Sequence, residues 1–398
     1  MKKFLALLMA ALLLPAAALA ELTIAGCDVS AGGYWTTDGT DVLTPVSSSD
    51  EWHISYDADA NILTLNGALV TAGQDTDGLV STVPMKIVLT EGSVNSFTGG
   101  TITPPAPDSG ESYNASRGVY VKGGLTVSGK GTLHAQGGHG GGSYGLIVTE
   151  GHLTVKDSAV EAIGGDSIAT SVGLMVHWNV NLTDMKLTAR SGATNSMHSS
   201  GIWADNVLAE NCVIEAHGGN GGGHCVGVYS GMDLTDTKLT ATADLHCPSS
   251  TALSTIGEYK QKGGTAEFSA GTEAFRIRNK TFTLSAELEV TGAGTPDGEL
   301  GPAVKKQDAY AFVLGDDPNG TQVPLRLRIA PPEEAPLPPD DPGDGDGAPL
   351  PPDDPGDGDK APLPDVPETG DASAPALWLM LALLTMAGAA AIRRKAHN

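Results

Sequence analysis

From Gly118 onward, apolar and small residues recur in fixed columns. Gly118-Val119, Gly145-Leu146, Gly173-Leu174, Gly201-Ile202, Gly227-Val228 and Ala252-Leu253 open successive units at intervals of 25 to 28 residues. A second apolar mark follows in each unit as Leu125-Thr126-Val127, Leu153-Thr154-Val155, Leu182-Thr183, Leu208-Ala209 and Leu234-Thr235. A third follows as Leu133-x-Ala135, Val160-x-Ala162, Leu187-x-Ala189, Ile214-x-Ala216, Leu239-x-Ala241 and Phe268-x-Ala270. Alternation of this kind predicts short strands. Three such strands joined by Gly-rich corners cannot bury their apolar sides alone. Stacked units can, because each strand pairs with the coil above and below at a spacing of about 4.8 Å. The pattern therefore predicts an all-β fold, a right-handed parallel β-helix over residues 52–330. A β-sandwich also accommodates short alternating strands, but the regular interval favours the solenoid.

Ile62-Leu63-Thr64-Leu65, Leu79 and Ile87-Val88-Leu89 read as an early, less regular coil after a cap segment at residues 21–51. Leu284, Ala286, Leu288 and Val290 read as a late one. Leu325-Arg326-Leu327-Arg328-Ile329 reads as a closing strand with charges outward, as an exposed edge requires. If the residues after the unit-opening glycines point inward, the next residue in each coil points outward. That column is Tyr120, Ile147, Met175, Trp203 and Tyr229. An outward apolar stripe marks either a binding surface or a face covered by a neighbouring loop, and Tyr and Trp rings suit stacking on sugar C–H faces.

Asp157, Asp184, Asn211 and Asp236 share one corner in register. Asx-type turns explain them; bound calcium is the alternative, and otherwise no cofactor is expected. The third strands carry His134, Glu161, Thr188, Glu215 and Thr240 outward. Glu161 and Glu215, two coils or roughly 9–10 Å apart, lie at the upper limit for an inverting glycosidase pair, a spacing the repeat produces without a catalytic cause. Arg190 stands apart from them, so no lyase-type base is evident. His224-Cys225 and His246-Cys247 fall in successive corners, with His198 one coil earlier. A Cys225–Cys247 disulfide, a pair of free thiols and, more remotely, a zinc site are the alternatives; no metal centre is expected. Cys212 reads as a small core residue.

Composition and the chain ends set the context. Gly accounts for 52 of 398 residues, aromatics for 5%, and the formal charge is -24. So acidic a surface argues against nucleic-acid partners. Residues 331–365 are almost wholly Pro, Asp, Gly, Ala and Leu, and residues 335–347 recur almost unchanged as 348–360. This segment reads as a solvated stalk. Met1-Lys2-Lys3, an apolar run and Ala18-Leu19-Ala20 read as a signal peptide over residues 1–20. At the other end, Val366-Pro367-Glu368-Thr369-Gly370 precedes an apolar stretch over residues 374–392 and the basic Arg393-Arg394-Lys395. As a helix those nineteen residues would span roughly 28 Å, enough for a bilayer core.

The order of features in residues 366–398 resembles the Leu-Pro-x-Thr-Gly sorting signal of Gram-positive surface proteins, with Val366 in the place of Leu. The resemblance implies cleavage by a sortase between Thr369 and Gly370, linkage of Thr369 to peptidoglycan, and membrane contact only through the C-terminal segment before sorting. A single-pass anchor with the basic tail in the cytoplasm is the plainer alternative. Segments such as Gly118-Val119-Tyr120-Val121 and Lys238-Leu239-Thr240-Ala241 also resemble the Gly-rich repeats of wall-anchored, carbohydrate-binding domain-containing surface proteins. That resemblance, over roughly residues 52–290, implies a secreted, wall-attached protein that binds a carbohydrate or host-surface ligand and acts as an adhesin. A polysaccharide lyase or glycoside hydrolase on the same scaffold, and a purely structural spacer, are the competing expectations.

Overall fold

The computed structural model describes residues 22–103, 114–195, 197–277, 281–305, 312–315 and 322–332. The signal segment, most of the stalk and the whole of residues 366–398, with Val366, Pro367, Glu368, Thr369 and Gly370, lie outside them. Every regular element among the described residues is a strand.

The strands stack into a parallel β-solenoid. In the third sheet, eight strands follow one another in parallel: Leu69–Thr71, Val94–Thr98, Thr132–Gln136, Ala159–Ile163, Lys186–Arg190, Val213–Gly218, Lys238–Ala243 and Thr265–Ser269. Leu133, Val160, Leu187, Ile214 and Leu239 form one unbroken inward ladder, each at most 2% exposed. Ala135, Ala162, Ala189, Ala216 and Ala241 form a second, beside it.

The alanines are small because the opposite wall is close. A Cβ added to Gly145 would lie 2.3 Å from the backbone N of Ile163, and one added to Gly201 would lie 2.6 Å from that of His217. The glycine column of the first sheet thus abuts the alanine column of the third. At both ends of the stack the sizes exchange. Asn95 and Phe97 pair with Leu133 and Ala135, and Ala266 and Phe268 pair with Leu239 and Ala241. The large residue moves over by one inward position, so Phe268, not Ala270, continues the alanine column. Tyr259, Phe268, Phe275, Phe282 and Phe312 then fill the C-terminal end, with Tyr259 and Phe282 stacked at 5.2 Å.

The second sheet departs from the expected register in its middle coils. Val127, Val155, Leu182, Ala209 and Leu234 share one column, while Leu125 and Leu153 align with Val180 and Val207. Leu208 therefore points out and is 39% exposed. The cause lies at the corner between the first and second sheets. In these coils the two strands merge into the single elements Ser167–Thr183, His198–Glu210 and His224–Thr235.

The Asp corner is a backbone requirement. Asp157, Asp184, Asn211 and Asp236 have φ of 55°, 51°, 53° and 46°, the left-handed region that Asp and Asn tolerate better than most residues. Their amides donate along the stack, as from Asp184 N to Glu210 O at 3.1 Å. The side chains do not supply the expected caps to backbone N–H groups; instead Asn211 Nδ2 donates to Asp184 Oδ1 at 2.6 Å.

Inside the Gly-rich corner runs a column that sequence reasoning passed over. Ser116, Ser143, Ser171, Ser199, Cys225 and Ser250 are in register and fully buried. Ser143 Oγ donates to Gly138 O at 2.7 Å and accepts from Gly165 N of the next coil at 2.7 Å. Ser171 repeats this with Gly165 O and Gly192 N, each at 2.8 Å. Ser116, Ser143 and Ser171 each satisfy two backbone groups in this way and tie one coil to the next; in the next coil Ser191 Oγ, bonded to Ser199 Oγ at 2.6 Å, takes the amide of Gly219.

Candidate functional site

The outward column is one ladder on the first sheet. Tyr120, Ile147, Met175, Trp203 and Tyr229 pair in succession, and the ladder continues through Ser254 to Arg276. Its environment changes along the stack. Arg117 lies over the Tyr120 ring at 4.6 Å and pairs with Asp77 at 3.3 Å, so that ring face is occupied. Ile147 is only 8% exposed. Met175, Trp203 and Tyr229 are half-buried.

A cleft of about 270 Å³ opens at the C-terminal part of this ladder. Trp203 and Tyr229 form one wall, their ring centroids 5.3 Å apart at 66°. His198 and His224, ladder neighbours one coil apart, form another; their rings stack at 5.4 Å and 17°. The edge contact of His198 with Trp203, at 6.1 Å and 84°, joins the two walls. Ser249, Thr251 and Ser254 contribute hydroxyls from the following coil, and Arg276 closes the end. Arg276 Nε donates to Glu273 Oε2 at 2.6 Å, and that carboxylate is largely buried beneath it. Of the five stripe residues, the cleft brings together Trp203 and Tyr229; Tyr120, Ile147 and Met175 lie outside it.

His198 is electrostatically constrained. Partial burial, and then the neighbouring His224, hold His198 below the ordinary imidazole range. A neutral imidazole offers one donor and one acceptor, which matches the dual character of a sugar hydroxyl. The lining is thus two ring faces flanked by imidazole, hydroxyl and guanidinium groups. The paired carboxylates that glycoside hydrolysis uses are not among the described lining residues.

The disulfide flanks this cleft. Cys225 and Cys247 are bonded, with Cα atoms 6.1 Å apart. Cys225 directly follows His224, and Cys247 lies two residues before Ser249, the ladder partner of His224, so the bond ties together two adjacent coils that line the cleft. Cys212 is buried in the core, and Cys27 is exposed. The outward carboxylates of the third sheet are engaged elsewhere. His134 Nδ1 lies 2.5 Å from Glu161 Oε2, and Lys186 Nζ lies 3.4 Å from Glu215 Oε1. No described group of three or more His, Cys, Asp or Glu is arranged to hold a metal ion.

The fold is that of a parallel β-solenoid. No protein-family model, curated protein or solved structure matches the chain.

Proposed function

We propose that this chain is a secreted, wall-anchored surface protein whose β-solenoid binds glycan without catalysis and acts in adhesion. The observation that carries the reading is the Trp203–Tyr229 wall, with the His198 ring edge-on to Trp203 and imidazole and hydroxyl groups beside it in one cleft of about 270 Å³. Ligand sites of this kind combine apolar faces with a few convergent polar groups. The cleft is lined by residues from strands, which hold the rings at fixed ladder spacing and lower the ordering cost of binding. At the C-terminus, cleavage between Thr369 and Gly370 by a sortase would leave Thr369 joined to peptidoglycan, with residues 331–365 as the stalk.

The test is retention of the full chain on a panel of immobilised polysaccharides, run beside a reducing-end release assay. Retention without release supports the reading. Release of new reducing ends would make it a hydrolase or lyase. Absence of both would leave a spacer or a binder of protein.

A further inference from the structure

A second exposed aromatic stands on the same strand as the cleft's ladder. Trp178 follows Met175 by three residues in the strand Ser167–Thr183, and Met175 is the ladder partner of Trp203. Trp178 is 52% exposed, far more than an indole on a packed face. Its position results from a bulge. Val176 pairs with Ala204 and Asn179 with Asn206, which leaves His177 and Trp178 opposite Asp205 alone. In the next coil Tyr229 pairs with Trp203 and Gly231 with Asn206, so Ser230 stands opposite Ala204 and Asp205. Over these three coils the corner shortens by one residue per coil, and Trp178 rides on the longest of the three. Bulges of this type re-aim a side chain and are frequent beside functional sites.

The surroundings of Trp178 are ordered and polar. Its ring meets that of His152 edge-on at 5.2 Å and 71°. Asn179 N donates to His152 Nδ1 at 3.3 Å, which leaves the proton of a neutral ring on Nε2. Asn206 Nδ2 donates to Asn179 Oδ1 at 3.3 Å. An exposed indole with an imidazole at its edge and two planar amides alongside presents the same pairing of ring face and hydroxyl partners as the cleft.

We infer that Trp178 is a second carbohydrate platform, and that the ligand is an extended glycan chain gripped along its length rather than a single terminal sugar. This rests on the glycan-binding reading above. Three residues, two of them in the bulge, set Trp178 at most about 10 Å along from the ladder position shared by Met175 and Trp203, and one rung adds about 4.8 Å. One sugar ring cannot bridge that interval; a short oligosaccharide can. A chain held at the Trp203–Tyr229 wall is delivered to Trp178 at high effective concentration, so the second contact adds affinity only for ligands long enough to reach it.

The experiment uses the full chain and the polysaccharide its panel retains, hydrolysed and fractionated into oligosaccharides from a single sugar to an octamer. Affinity should rise with length and then level off. Trp178→Ala should remove that rise, weakening the longest ligand about tenfold while leaving the shortest unchanged. Trp203→Ala should weaken every length. Trp178→Phe, which keeps a ring face, should restore most of the gain, and the unchanged affinity of the Ala variant for the shortest ligand would show that it is folded. If Trp178→Ala matches the parent at every length, or weakens short and long ligands equally, the second platform is overturned while the cleft stands. A panel that retains nothing overturns both.

Discussion

Cys225 occupies the rung of the buried serine column between Ser199 and Ser250, and the bond it makes to Cys247 stands where other coils have a hydroxyl contact. In that coil the carbonyl of Gly221 lies 3.4 Å from Cys247 Sγ, so the corner remains lined by glycine backbone. The bond spans a sequence separation of 22 residues, and closing a loop of this size stabilises by about 3 kcal/mol in the chain-entropy view.

Removing the bond should therefore lower stability, and the replacement at position 225 should matter. Cys225→Ser with Cys247→Ser restores the hydroxyl that the column uses elsewhere. It should melt above Cys225→Ala with Cys247→Ser by the worth of one hydrogen bond, about 1 kcal/mol. Equal melting temperatures for the two double variants would show that the column does not bond at this rung.

The narrow waist predicts overpacking. Ala189 is fully buried, and a Cβ added to Gly201 would lie 2.9 Å from its carbonyl oxygen. Ala189→Leu should cost about 1–3 kcal/mol, read as a drop in thermal midpoint. An unaltered midpoint would mean that the walls separate easily.

Trp203 is the larger ring of the cleft wall and contacts both Tyr229 and His198. Trp203→Ala should weaken glycan retention by about 2 kcal/mol, roughly thirtyfold, with the far-UV spectrum of the solenoid unchanged. Full retention would place the site elsewhere, with the corner around His217 next to be tested.

Two histidines predict loss of stability in mild acid. Burial holds His217 below the ordinary imidazole range, reinforced by Arg190 and opposed by Asp244; partial burial and His224 do the same to His198. As pH falls through about 6.5, the unfolded chain takes up protons that the fold resists. Stability is undiminished above that value and declines below it. Thermal midpoints measured from about pH 8 to about pH 5.5 should fall, and His217→Gln should flatten the slope. A slope unchanged by the substitution would remove His217 as a cause.

Wall attachment has its own test. Thr369→Ala should shift the protein from the muramidase-released fraction to the membrane or the medium. An undiminished muramidase-released fraction would exclude the sorting reaction at this bond.

The ladders legible in the sequence were those in which residues of one kind fill one column: the aliphatics from Leu133 to Leu239, the alanines from Ala135 to Ala241, and the Asp and Asn of the corner. Where two columns exchange volume, as at Phe97 and Phe268, a repeat template slips by one inward position. Leu208 misled for a related reason, since the shortening corner shifts register without changing composition. The serine column was hidden because a buried hydroxyl looks like a surface residue until its glycine partners are placed. Arg276 was missed because only 22 residues separate it from Ser254, less than the 25 to 28 of the regular coils. The aromatic column itself was visible, but its division into covered and open parts depends on Arg117, His198 and His224, which the repeat does not single out.

At each end of the stack the chain turns back on itself. Leu22–Ile24 runs antiparallel along Leu79–Ser81, and Leu43–Val46, Gly33–Thr37 and Ile54–Asp57, in that spatial order, form an antiparallel sheet that leads into Ile62–Leu65. Arg326–Ala330 runs antiparallel along Thr265–Ser269, held also by Arg326 Nη2 to Glu267 Oε1 at 2.6 Å. A stack of parallel strands left open would be a template for the next copy of the same chain. With Leu79–Ser81 and Thr265–Ser269 each covered by a reversed strand, neither is left as a parallel template for the same strand of a second copy, which disfavours end-to-end growth into fibres through them.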